Sequence, residues 1–160
     1  MKKLDKSAKI LVRTHFANRE PWNTLGFQIV NSLWQERITV KAVGLSLGDF
    51  KENSPWAEMH ETITAPIAQL KGDIIQIICG DQTDLKFHSE LYKTNIAYVD
   101  PRHCRYELAV LRKFSEVWVP NSSCLTKCQH WIHPLNVYIV PASTAATELV
   151  TRFGFQETIK

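Results

Sequence analysis

The side chains in this sequence best able to do chemistry follow directly after short apolar runs. His15 and Asn18 come after Ile10-Leu11-Val12, Asp81 after the run 72–80 (GDIIQIICG), and Asp100, Arg102 and His103 after 95–99 (NIAYV). Asn121 and Ser122 come after 116–120 (EVWVP). A carboxylate such as Asp100, held at the tip of a strand, can accept the proton of an attacking hydroxyl. Its neighbours Arg102 and His103 can pair with a phosphate or shuttle a proton. Asp100 and His103 are therefore the catalytic candidates, and His15, Asn18, Asp81, Arg102, Asn121 and Ser122 the candidates for holding substrate. Each has a plainer role. Asp100-Pro101 suits a turn with Arg102 paired to a surface acid, Asn121 and Ser122 suit helix caps, and a lone histidine such as His15 is often structural.

Two further groupings invite a metal. Cys124, Cys128, His130 and His133 form C-x3-C-x-H-x2-H, with the two thiols on one helical face. The histidine spacing is shorter than the usual zinc pattern, and the expected helix turns His130 off the cysteine face. Buried thiols and a capping histidine account for the group more simply. Asp81-Gln82-Thr83-Asp84 reads as D-x-x-D, a spacing that loops often carry without any ion. No metal site and no cofactor are expected. Of the five tryptophans, Trp22 and Trp56 fall where a ring could stack on a sugar, although core positions are the commoner use.

The elements that must position these side chains are legible from periodicity. Strands are expected at 8–14, 38–47, 72–80, 95–99, 116–119 and 137–140, where apolar and β-branched residues run between turn signals. Helices are expected at 24–37, where Leu25, Ile29 and Leu33 recur at helical spacing, and at 105–114 and 122–131. Another falls at 56–70, kinked or broken by Pro66, after a loop at 48–55. Strands alternating with helices form parallel sheets through right-handed crossovers. The expected fold is a Rossmann-like, open, twisted and mainly parallel sheet of about six strands with helices on both faces. It occupies 1–141, and 142–160 follows as a tail with one helix near 145–152. In such sheets ligands bind beyond the carboxyl ends of the strands, where 15–18, 48–49, 80–82, 100–104 and 121–123 are gathered.

Composition narrows the function classes. The 160 residues are 44% hydrophobic and 22% charged, as in a folded domain. Nineteen Lys and Arg against 16 Asp and Glu leave a net charge of only +3, with the basic residues dispersed. That argues against a nucleic-acid surface, which gathers its charge into a stripe. Lys2, Lys3, Lys6 and Lys9 suit a solvated terminus and leave room for peripheral membrane contact. No run approaches the ~20 apolar residues that span a bilayer, and the apolar run after the basic start stops at Arg13. A cytoplasmic location with four reduced cysteines is the expectation.

The stretch 95–143 resembles the second half of the N-terminal domain of GT-B fold glycosyltransferases, particularly the family 4 type. It does so through "IAYVDP", "SEVWVPNS" and "VYIVPAS". Residues 10–46 are similar to the opening strand, helix and second strand of the same family. The resemblance implies the acceptor-side half of a retaining enzyme that moves a sugar from a nucleotide-sugar donor to an acceptor. The donor would be gripped by a partner domain or subunit, because nothing after Pro141 matches the family's second domain. The chain also departs from the pattern. The segment 15–26 has one glycine where the family carries a glycine-rich loop, and Asp100 stands near the place of a Glu. The alternative is a non-catalytic binding or assembly module that kept the sheet.

Overall fold

The computed structural model describes residues 9–16, 19–38, 40–45, 73–127 and 136–153. Among these, six strands build one sheet in which every pairing is parallel. They are β1 (Lys9–Thr14), β2 (Val40–Gly44), β3 (Ile74–Cys79), β4 (Thr94–Tyr98), β5 (Glu116–Val119) and β6 (Val137–Ile139), in the order β2-β1-β3-β4-β5-β6. The described α-helices are α1 (Trp22–Gln35), α2 (Leu108–Leu111), α3 (Ser122–Lys127) and α4 (Ala145–Phe153). Short 3-10 helices lie at Gln82–Phe87 and Ala142–Thr144. The fold is the open Rossmann-like α/β sheet that the alternating pattern predicts. The helix expected at 56–70 and the loop at 48–55 lie outside the described residues.

Apolar runs become strands here because both faces of the sheet are covered. Along β1, Ile10, Leu11 and Val12 are all fully buried, so no polar alternation survives. The face formed by Ile10, Val12 and Thr14 receives α1, whose Ile29, Val30 and Leu33 are buried. Gly26 lets the helix approach closely, since a Cβ there would overlap the Thr14 side chain. The opposite face carries Arg13 and Gln76, and the 3-10 helix Gln82–Phe87 covers it. Gln76 donates to the Phe87 carbonyl at 3.0 Å, and the Arg13 guanidinium lies over the Phe87 ring. Burying each large aliphatic side chain in such a core contributes about 1.5–3 kcal/mol.

Polar groups inside the sheet are bonded to one another. Gln76 accepts from Arg13 Nε at 2.6 Å and donates to Asn95 Oδ1 at 2.8 Å, which ties β1, β3 and β4 together below their tips. At the far edge, Glu116 Oε1 accepts from both Trp118 Nε1 and Arg152 Nε, and the Arg152 guanidinium stacks on Tyr138. That clamp fixes α4 against β5 and β6. The amide of Ala146 donates to Ser32 Oγ at 2.9 Å, which docks α4 on α1 as well.

The helix expected at 105–114 shrinks to the single turn of α2. Its N-cap Glu107 is extended, at φ −88° and ψ 128°. The buried Tyr106 side chain is drawn to the strand tips, and that pull holds the preceding backbone out of the helix. Among the described residues no helix is long and apolar enough to cross a membrane.

Candidate functional site

The strand order reverses direction at β1. From there the chain steps outward to β2 on one side and to β3 on the other. The carboxyl tips of β1 and β3 therefore flank the switch point, where parallel α/β sheets open a crevice. His15 follows β1 there, and Gly80, Asp81 and Asp84 follow β3.

His15 is 1% exposed, and its Nε2 lies 2.8 Å from Asp84 Oδ2. The same oxygen accepts the backbone N–H of Asp81 at 2.9 Å, so it faces two donors and Nε2 carries the imidazole proton. Among the described residues the buried Nδ1 has no hydrogen-bond partner, and neither has Asn23 Oδ1 in the first turn of α1.

Asp84 is placed by a reciprocal capping box. The Asp81 side chain accepts from the backbone N–H groups of Thr83 and Asp84, while Asp84 reaches back to Asp81 N–H. Gly80 makes room for this, because a Cβ at that position would overlap the Asp84 carboxylate. Burial pushes the Asp81 carboxyl up, but hydrogen bonds from Thr83 and Asp84 outweigh it and hold the group below the usual carboxylate range. Arg19, half exposed, stands 3.8 Å from Asp81 Oδ2. The D-x-x-D spacing thus serves the cap and the histidine. Among the described residues no cluster of three or more His, Cys, Asp or Glu could hold a metal ion.

The second cluster lies one strand over. Asp100 is 1% exposed and accepts from Arg102 backbone N–H, Nε and NH2 at 3.0–3.1 Å. Its Oδ1 also accepts from the Cys124 thiol at 3.3 Å, and His103 Nε2 stands 3.7 Å from Oδ2. Burial raises the Asp100 pKa, yet the hydrogen bonds and charge of Arg102 prevail and hold it below the ordinary value. A carboxylate so held is a weak proton acceptor near neutrality. The Cys124 thiol is pushed up to about 11, first by burial and then by Asp100, so it stays protonated at neutral pH.

Tyr106 joins the two clusters. Its hydroxyl donates to the Gly80 carbonyl at 2.7 Å and accepts from the Asp100 backbone N–H at 3.4 Å. The tips of β3 and β4 are thereby held at a fixed spacing.

The structure brings Asp100, Arg102 and His103 into one cluster, and His15 and Asp81 into another around Asp84. Asn121 caps α3, its Oδ1 accepting from Cys124 N–H at 3.1 Å, which places it beside the Asp100 cluster. Ser122 is exposed on the first turn of that helix. Asn18, Cys128, His130, His133 and Trp56 lie outside the described residues. Trp22 is 4% exposed and packed in the core, the commoner of the two uses its position allowed. Its carbonyl accepts from Thr14 Oγ1, which fixes the start of α1 against β1 and leaves the ring inside.

Sequence reasoning did not pair His15 with Asp84, nor single out Tyr106. The available signal was a glycine followed by D-x-x-D, the pattern of a capping box at a strand tip. No family model, curated protein or solved structure matches the chain.

Proposed function

We propose that the chain is the acceptor-side half of a sugar-transferring enzyme, working with a partner domain or subunit that carries the nucleotide-sugar. The observation that supports this most is the line of polar groups along adjacent strand tips, running outward from the switch point of the sheet. His15, Asp81 and Asp84 lie at β1 and β3, Asp100, Arg102 and His103 at β4, and Asn121 at β5. Such a row suits a hydroxyl-rich acceptor, which needs several donors and acceptors in fixed positions. The likeness of 95–143 to GT-B N-terminal domains supports the same reading.

In this role the chain binds and orients. Arg102 and His103, with side chains 41% and 48% exposed, reach solvent from the buried Asp100 and can meet a charged group on the acceptor or donor. Asp100 itself acts as their anchor. Transfer needs both reactants held together, so the chain alone should have little activity.

The second reading is a non-catalytic binding or assembly module, and the saturation of Asp100 by Arg102 and Cys124 favours it. Calorimetry and hydrolysis assays of the pure chain with several nucleotide-sugars test the first reading. It expects no tight donor binding and negligible hydrolysis, with sugar transfer appearing once a donor-binding partner recovered by co-purification is added. Tight donor binding by the chain alone would contradict it.

A further inference from the structure

The carboxyl-terminal half of α1 runs back from the strand tips and, with the turn 143–147, walls a cleft of about 220 Å³. Helical spacing builds the first wall. Gln28, Asn31, Ser32, Gln35 and Glu36 stand at i, i+3, i+4, i+7 and i+8, so they share one face of the helix. Ile29, Val30 and Leu33 are buried on another face, in the core. The second wall is held in place by the Ala146 amide, which donates to Ser32 Oγ at 2.9 Å. Ala145 and Ala146 are buried there, and their single methyl groups leave room between the walls.

Every lining side chain except that of Ala146 is polar, so an apolar ligand has nothing to bury against. Charge then decides among polar ligands. The lining holds one carboxylate, Glu36, and no Lys, Arg or His, which turns an anion away. The helix adds to the same sign, because the carboxyl end of α1 is the negative end of its dipole and its last turn has no basic residue. Arg37 follows the helix but does not line the cleft. The amides of Gln28, Asn31 and Gln35 carry oxygens that can accept, and among the described residues no protein group bonds to them. Gln28 and Glu36 are eight residues apart, about 12 Å along the helix. That spread is too long for one metal ion and suits an extended ligand.

We infer that this cleft binds an extended organic cation of the alkyl-guanidine or polyamine class. Its charge lies at Glu36, and its N–H groups donate to the amide oxygens of Gln28, Asn31 and Gln35. The site is separate from the strand tips and independent of the sugar-transfer reading.

The test titrates the full chain, labelled with 15N, with agmatine. Tetramethylammonium serves as a cation without N–H donors, and inorganic phosphate as an anion. The side-chain amide resonances of Gln28, Asn31 and Gln35 should move saturably with agmatine and stay in place with either control. Glu36→Gln should weaken agmatine binding by roughly two- to fivefold, the worth of an exposed ion pair. Glu36 is exposed, so this variant keeps the fold, and the titration of the unaltered chain stands without it. An equal response to tetramethylammonium, or shifts that rise without saturating, would overturn the inference. So would saturable agmatine binding that moves the strand tips and leaves the three amides unmoved.

Discussion

His15 and Asp84 stand 69 residues apart in the chain, yet their side chains meet at 2.8 Å in the buried angle between β1 and β3. Nothing local connects them. The parallel pairing of the two strands brings the end of one beside the turn that follows the other, and the capping box aims the carboxylate.

Removing that carboxylate should be costly. Asp84→Ala leaves Nε2 of a buried imidazole unpaired and dismantles the capping box, so a loss of about 2–4 kcal/mol is expected. Urea unfolding followed by circular dichroism measures it. A loss below about 0.5 kcal/mol would mean that the pair does not hold the tip.

Gly80→Ala attacks the same contact from the backbone side. The added methyl would overlap the Asp84 side chain, which cannot retreat without giving up His15. A cost of about 1–3 kcal/mol is expected, as for overpacked sites. Combining it with Asp84→Ala should cost clearly less than the sum, because the overlap is then relieved. Simple additivity in the double-mutant cycle would refute the clash.

Tyr106→Phe deletes the hydroxyl bridge between Gly80 and Asp100 and keeps the ring. A loss of about 1–2 kcal/mol is expected. Amide shift changes should be centred on both residues. Changes confined to one tip would show that the bridge is not shared.

Acid should destabilise the chain through Asp100. Its folded pKa lies below the ordinary carboxylate value, so its contribution is complete above that value and is lost as pH falls through the folded one. Arg102→Met removes the main group holding it down, so stability should fall at neutral pH and the loss between neutral and acid pH should shrink. Urea unfolding at both pH values measures it, and an unchanged pH dependence would contradict the assignment.

Cys124 should resist alkylation in the folded chain. With its thiol pushed up to about 11, the thiolate at pH 8 is about one part in a thousand, and the side chain is fully buried. Iodoacetamide followed by peptide mass spectrometry should find Cys124 unmodified until the chain unfolds. Rapid native labelling would show the Asp100 cluster to be open.

The sheet was legible because its strands are buried on both faces. Runs such as Ile74–Cys79 and Ile10-Leu11-Val12 have no competing pattern, and the order of strands and helices dictates parallel pairing. The gathering of polar side chains beyond the strand tips followed from the strand pattern alone. Its internal pairing did not, because whether His15 meets Asp84 or Asp100 depends on which strand lies beside β1. The 3-10 helix Gln82–Phe87 was too short and too polar at its start to register as periodic. Residues 105–107 looked helical until Tyr106 found partners on two strand tips, a tertiary contact that overrides local propensity.

If the β1–β3 tips receive a hydroxyl-rich acceptor while the donor binds elsewhere, backbone amide shifts of the labelled chain will separate the two ligands. Addition of myo-inositol should give changes concentrated at Gly80–Asp84 and Asp100–His103, and a nucleotide-sugar added separately should give no tight response. Changes gathered instead at the opposite ends of the strands, around Ser89, Ser115 and Asn136, would contradict it.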